Sequence, residues 1–276
     1  MTAGIKMNFL KKTPLYDIAR FFYHKTSIYQ NKINELRMAE ETAKREEKRL
    51  IDTYFLGNYK VNNGPFEGMD YISESSCSQL LPKLFGSYEE PIQHWVLNAI
   101  AKKYTRILDI GCAEGYYAVG FAKALPECDL FAFDIDEVAL TRAKKLAEIN
   151  GISNITFRNV CTHADLNNLI LHNHYTLVFC DIEGAEDELL RPDLAPKLHD
   201  ADIIVETHDC YNPGVTDRIV DRFYDTHKIS CVIDYSCRIN EYALTREISS
   251  NDLIKITDEK QPKKMKFLYL ESLDKK

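Results

Sequence analysis

The 276-residue chain contains no C-x-x-C pair, no excess of positive charge and no apolar run long enough to cross a bilayer. Each absence removes a class of protein. The cysteines (Cys77, Cys112, Cys128, Cys161, Cys180, Cys210, Cys231 and Cys237) are scattered, so the paired spacing of a structural zinc site is excluded. Cys180 lies within the apolar "YTLVFCDI", where a free thiol behaves as a small hydrophobe. A formal net charge of -7 argues against general binding to nucleic-acid backbones, which takes basic surfaces. A small anionic substrate met by local arginines, such as Arg238 and Arg246, is still allowed. The first residues show no continuous apolar segment of the signal-peptide kind, and no later run has bilayer-spanning length. The expectation is a reduced, cytoplasmic protein with no membrane span. The amphipathic "LYDIARFFYHK", Leu15 to Lys25, is expected to dock on its own domain.

The chain also lacks internal repeats, low-complexity segments and sustained heptads. Residues 27–56 read as one long helix with opposite charges interleaved at helical spacing, and the missing heptads argue against a long coiled coil. Oligomer contact through this helix is the competing reading. With 45% hydrophobic residues, one large domain with an appendage is expected. The division is placed at residue 90: 1–90 as a helical segment and hairpin acting as substrate lid or oligomer contact, 91–276 as the main domain. In "YKVNNGPFEGMDYISESS" the glycines at 64 and 68, around Pro65, suggest a hairpin. Phe66, Met69 and Tyr71, followed by Tyr88 and Glu89, are expected either to cover the sheet edge or to pack the appendage onto the core. Pro91 suits the first turn of a helix.

From Arg106 onward β-type runs at 106–110, 129–133, 154–158, 175–180, 202–206 and 228–233 alternate with helical segments at 115–125, 137–150, 184–190 and 214–226. "KKMKFLYLESL" adds a last strand. The expected fold is an α/β, Rossmann-like doubly wound sheet, mostly parallel with a C-terminal antiparallel strand. Ligands of such sheets bind beyond the carboxyl ends of the strands, where the strand order reverses. The first strand runs into Gly111-Cys112-Ala113-Glu114-Gly115, whose small residues permit close approach of a ligand. Taken alone, this loop discriminates poorly between nucleotide cofactors.

"RILDIGCAEGYYAVGFA" resembles motif I of the class I S-adenosylmethionine-dependent methyltransferases, with Ala113 where the middle glycine stands. The resemblance implies S-adenosyl-L-methionine as cofactor, Asp109 at its amino-acid end, and Gly111, Cys112, Ala113, Glu114 and Gly115 along the cradle. After the second strand, "FDID" offers Asp134, with Asp136 as second choice, to accept from a ribose diol, with Ile135 beside it. A carboxylate there repels the 2′-phosphate of NADP, while NAD stays allowed. In "NVCTHADL" the resemblance implies adenine contacts from Thr162 and Ala164, with His163 as a further candidate.

"LVFCDIEGAEDELL" delivers Asp181 and Glu183 to the same sheet edge. The string D-x-E-G-x-E, Asp181 to Glu186, resembles the signature of FkbM-type methyltransferases, which implies O-methylation of hydroxyls on sugars and related small metabolites. Without that resemblance, Glu183 and Glu186 read as an acidic cluster on a helix dipole. His208, in "VETHDCYNPG", is a plausible base, with Asp181 or Glu183 orienting the hydroxyl. Asp181, Glu183, Glu206, His208 and Asp209 would also suit Mg²⁺, but no spacing demands a metal and none is expected. His172 and His174 read as a solvated turn. The expected partner is a carbohydrate-like small molecule, with no nucleic acid. Two other functions stay open: an NAD-dependent oxidoreductase, and a non-catalytic protein that binds the cofactor while its N-terminal helix makes contacts.

Overall fold

Seven short runs of aliphatic and aromatic residues form the strands: β1 (Arg106–Ile110), β2 (Asp129–Phe133), β3 (Ile155–Arg158), β4 (Thr176–Cys180), β5 (Asp202–Thr207), β6 (His227–Ile233) and β7 (Lys266–Ser272). A computed structural model describes residues 27–76, 78–172, 174–234, 247–260 and 265–273. The segment 15–25, together with Cys77, Cys237, Arg238 and Arg246, lies outside the described residues.

The strands make one sheet in the order β3-β2-β1-β4-β5-β7-β6. All pairs are parallel except those of β7, which runs antiparallel to both β5 and β6. The expected α/β, Rossmann-like fold is what forms. Every residue of β4 and β5 is buried, as strands covered on both faces require. On one face Leu108, Ile110, Val178, Cys180, Ile203 and Val205 join one hydrophobic cluster with Ile219 and Phe223. Burying each such large apolar side chain contributes about 1.5–3 kcal/mol.

The helices are α1 (Ser27–Tyr54), α2 (Leu80–Phe85), α3 (Gln93–Lys102), α4 (Tyr116–Ala124), α5 (Glu137–Ile149), α6 (His163–Leu169), α7 (Glu186–Leu189), α8 (Val215–Phe223) and α9 (Ser250–Thr257). Among the described residues no helix is long and apolar enough to cross a membrane. Helix α6 stands where a loop was read. A capping box starts it, with Asp165 N–H donating to Thr162 Oγ1 and Thr162 N–H donating to Asp165.

The chain divides into two compact units, Met1–Leu56 and Gly57–Lys276. In the first, α1 carries ion pairs one turn apart, among them Arg37–Glu41 and Lys44–Glu40, and exposes Ile33, Leu36 and Met38. In the second, residues 57–90 group with the sheet, whereas the pattern reading divides the chain at residue 90. Their hairpin has a single antiparallel bridge, Lys60–Asp70. Phe66, Met69 and Tyr71 are buried, and Phe66 meets Tyr116, Tyr117 and Phe121 edge to face. Gly120 makes room for this: a Cβ there would lie 2.5 Å from the Phe66 ring. These aromatics therefore pack the front segment onto α4.

The β1 and β2 ends run one way from the centre and β4 and β5 the other, so the order reverses between β1 and β4. The carboxyl ends of those two strands carry the site.

Candidate active site

A cavity of about 210 Å³ opens at this reversal. Gly111, Cys112 and Ala113 line one wall, Asp181, Glu183, Glu206 and His208 another, and Tyr88 and Glu89 of the front segment a third. Of the non-glycine residues with positive φ among the described residues, Glu89, Ala113, Glu183 and Lys260 all line it, and only Leu56 and Lys103 do not. Strained backbone concentrates at functional sites.

The glycines of the first loop serve the fold. A Cβ on Gly111, at φ +86, would lie 1.6 Å from the Asp181 carbonyl oxygen, so its absence lets the β1 and β4 ends close together. One on Gly115, at φ +93, would lie 3.1 Å from Ala143 Cβ. Ala113 adopts φ +47, a conformation that costs an L-residue about 1–2 kcal/mol. Ala113→Gly is accordingly expected to raise stability by up to about 1 kcal/mol. Chemical denaturation would show this, and a loss of stability would contradict it.

The carboxylates behind the loop divide their work. Asp134 accepts from Ala113 N–H through Oδ2 and from Asp136 N–H through Oδ1, both at 2.8 Å, which fixes its carboxylate at the end of β2. Asp136 instead caps α5 by accepting from Val138 N–H, and neither carboxylate lines the cavity. Ile135, beside it, is 82% exposed. Asp109 is buried, its Oδ2 has no hydrogen-bond partner, and burial with the charges of Asp181 and Asp134 pushes its pKa up to about 8.

That shift has a consequence for stability. A carboxyl with a folded-state pKa above its unfolded value favours the folded state below the unfolded pKa, and loses that contribution as pH rises through the folded one. The Asp109 contribution therefore declines between pH of about 4 and 8. Thermal denaturation is expected to show a midpoint that falls over this window in wild type and falls less in Asp109→Asn. Equal slopes would contradict this reading.

Glu114, expected among the cofactor contacts, does not line the cavity. It is fully buried and accepts from Tyr71 Oη (2.7 Å), Ser75 Oγ (2.7 Å), Ser76 N–H (3.0 Å) and Lys83 Nζ. Burial alone would raise its pKa, but Lys83 and these donors hold it below the ordinary value. It ties the front segment to the back of the loop. Thr162 and Ala164 are exposed and do not line the cavity, the Thr162 hydroxyl is spent on the α6 cap, and His163 Nε2 meets the Glu188 carbonyl.

Beyond β4, Asp181 and Glu183 both reach the cavity although the strand ends at Cys180. The left-handed Glu183 (φ +56) and Gly184 (φ +105) turn the chain at that point. His208, after β5, is buried and hydrogen-bonds through Nδ1 to Glu186 Oε1 at 2.7 Å. Glu186 also accepts from Gly184 N–H, so it is a buried support of the site and not a surface charge on the α7 dipole. The other ring nitrogen, Nε2, faces Glu183 at 3.5 Å, Asp181 at 3.6 Å and Glu206 at 3.8 Å. Burial alone would lower the His208 pKa; the Glu186 hydrogen bond and the Asp181 charge outweigh it and raise it. Burial and the Glu89 charge push Asp181 up to about 7, and burial and Asp181 push Glu206 up.

Asp181, Glu183, Glu206 and His208, all candidates in the sequence, line the same cavity, whereas the support from Glu186 was not foreseen, although it is the third acid of D-x-E-G-x-E. Asp209 faces away, engaged with Thr216, Gly214 N–H and Lys266. His172 and His174 meet Asp200 and Thr105 instead of sharing a site.

An α/β sheet with a small-residue loop and acidic side chains at its reversal point is a Rossmann-like architecture, whose ligands bind at that edge. Comparison places it more narrowly. The chain belongs to the methyltransferase domain family, whose model matches residues 101–270. A release factor glutamine methyltransferase from Flavobacterium psychrophilum is 33% identical over 120 residues, covering 41% of this chain and 38% of the relative. The chain thus matches well under half of that relative's length. Two solved structures are similar in part: a candidate O-methyltransferase from Klebsiella pneumoniae (TM-score 0.46, 13% identity, 66% of this chain and 80% of that one) and the O-methyltransferase TomG from Streptomyces achromogenes, in complex with S-adenosylmethionine (TM-score 0.42, 16% identity, 64% and 77%).

The cofactor is S-adenosylmethionine. The buried, unpartnered Asp109 Oδ2 fits a cationic amino group, and the fixed Asp134 carboxylate keeps lone pairs for a ribose diol.

Proposed function

We propose that the chain methylates a hydroxyl oxygen of a carbohydrate-type small metabolite, as an FkbM-like enzyme. The observation that carries this is the convergence of Asp181, Glu183 and Glu206 on His208 Nε2, in the cavity that Gly111–Ala113 also lines. When bound, S-adenosylmethionine supplies an electrophilic methyl group. Asp109 would hold its amino-acid end, Asp134 its ribose and Ile135 its base. The chain's own task is to align a hydroxyl and accept its proton. Asp181, Glu183 and His208 are the proposed catalytic residues: they offer carboxylate and imidazole acceptors at one point, and Glu186 fixes the ring's orientation. Tyr211, 57% exposed and nearly parallel to the His208 ring at 5.8 Å, offers a flat apolar face to the C–H side of a sugar. Tyr88 and Glu89 support a covering role for part of residues 1–90. The exposed Ile33, Leu36 and Met38 support self-association through α1.

A second reading, methylation of an amide nitrogen, is favoured by the partial similarity to the glutamine methyltransferase. Labelled S-adenosylmethionine offered with monosaccharides, nucleotide sugars and a glutamine-containing peptide separates the two. The proposal expects label on the hydroxylated acceptors; label on the peptide alone would favour the amide.

A further inference from the structure

The spacing around His208 fits neither a hydrogen-bonded cluster nor a set of separated charges. Its Nε2 lies 3.5–3.8 Å from oxygens of Asp181, Glu183 and Glu206, too far for good hydrogen bonds. Two atoms bound to one first-row divalent cation at about 2.0–2.2 Å stand roughly 3.0–3.5 Å apart, so the separations of His208 Nε2 from Asp181 and Glu206, 3.6 and 3.8 Å, lie near ligand spacing. Asp181, Glu206 and His208 each offer an atom within 4.8 Å of the others.

A second observation points to a ligand at the same place. Glu206 is 96% buried by its 4% exposure, lines the cavity, and its Oε1 has no hydrogen-bond partner. Leaving such a group unsatisfied is costly unless something binds it. The ring is also prepared as a metal ligand: Glu186 accepts from Nδ1–H and so directs the Nε2 lone pair into the cluster, the carboxylate–histidine–metal arrangement. Of the lysines lining the cavity, Lys83 is bound to Glu114 and Lys260 is exposed.

We infer that Asp181, Glu206 and His208 form a binding site for a first-row divalent cation such as Mn²⁺ or Zn²⁺, with Glu186 as its outer support. Two carboxylates with one imidazole favour this class over Ca²⁺, which takes six to eight oxygens. The inference rests on the proposed active site and adds its ion. With the cation bound, the His208 Nε2 lone pair and Asp181 are taken up as ligands and position the acceptor through the ion, which leaves Glu183, 59% exposed, as the group that takes the acceptor's proton.

The test is titration of the purified, EDTA-treated full chain with Mn²⁺, followed by electron paramagnetic resonance, with Zn²⁺ competition and S-adenosylhomocysteine affinity as a check on folding. One saturable Mn²⁺ per chain is expected, displaced by Zn²⁺ and showing nitrogen modulation in the spin echo from His208. Glu186→Gln should weaken binding about 10–100-fold, and Glu206→Gln should remove it while S-adenosylhomocysteine still binds. If either variant fails to fold, the wild-type nitrogen modulation decides alone. No saturable binding by wild type, or undiminished binding by a folded Glu206→Gln, would overturn the inference. Methyl transfer to hydroxyls that survives EDTA in a chain without Mn²⁺ binding would overturn only the cation site. Mn²⁺ binding without transfer to any hydroxylated acceptor would overturn only the proposed function.

Discussion

Lys83→Met is expected to cost about 3–5 kcal/mol of folding stability, the usual consequence of removing one partner of a buried ion pair. Lys83 is 2% exposed and Glu114 not at all. Without the ammonium, Glu114 keeps only Tyr71, Ser75 and Ser76 N–H as donors for a fully desolvated charge. The loss should also depend on pH. Lys83 helps hold the Glu114 pKa below its ordinary value, so the pair stabilises the fold above the unfolded pKa and ceases to as pH falls. In the variant a protonated Glu114 costs less than a charged one, so the deficit is expected to be larger at pH 8 than at pH 5. Lys83→Met/Glu114→Gln should recover part of it. Urea denaturation at both pH values measures this. A deficit within about 0.5 kcal/mol, the range of ordinary surface changes, would show that the pair does not fasten the front segment to the loop.

Asp181→Asn has the largest effect expected on turnover, a fall of about 10²–10⁴-fold with S-adenosylhomocysteine affinity little changed. Three lines support so large a value. The side chain lines the cavity, it faces His208 Nε2, and its Oδ1 has no hydrogen-bond partner. Asparagine keeps the volume but loses the charge, so a structural role alone would leave turnover nearly intact. Single-turnover kinetics beside calorimetric binding separates these outcomes, and wild-type turnover would remove Asp181 from the chemistry.

The seven strands were legible because aliphatic runs of strand length alternate with helical segments. The reversal of strand order between β1 and β4 is not contained in that alternation and shows only in the assembled sheet. What stayed hidden depends on contacts between distant segments. Nothing near Glu186 announces His208 as its partner, 22 residues away. Glu114 sits inside the loop motif yet turns its carboxylate to residues 71–83, and the length of the motif gives no sign of that direction. That Asp136 is engaged as the cap of α5, while Asp134 accepts from the first loop, shows only in the folded chain. The α6 helix went unread because its capping box lies in a segment taken for a ligand loop. Phe66 and Gly120 show the same limit in packing, since the glycine is explained only by a ring from the front segment.

The central claim is that the Asp181–Glu183–His208 cluster receives an oxygen acceptor. The most direct measurement is the ¹³C NMR spectrum of product made with ¹³C-methyl S-adenosylmethionine and a hydroxylated acceptor. The account predicts a single new resonance of a methyl group bound to an ether oxygen, lost with Asp181→Asn. A methyl resonance on nitrogen, or an oxygen-linked product formed equally by Asp181→Asn, would contradict it.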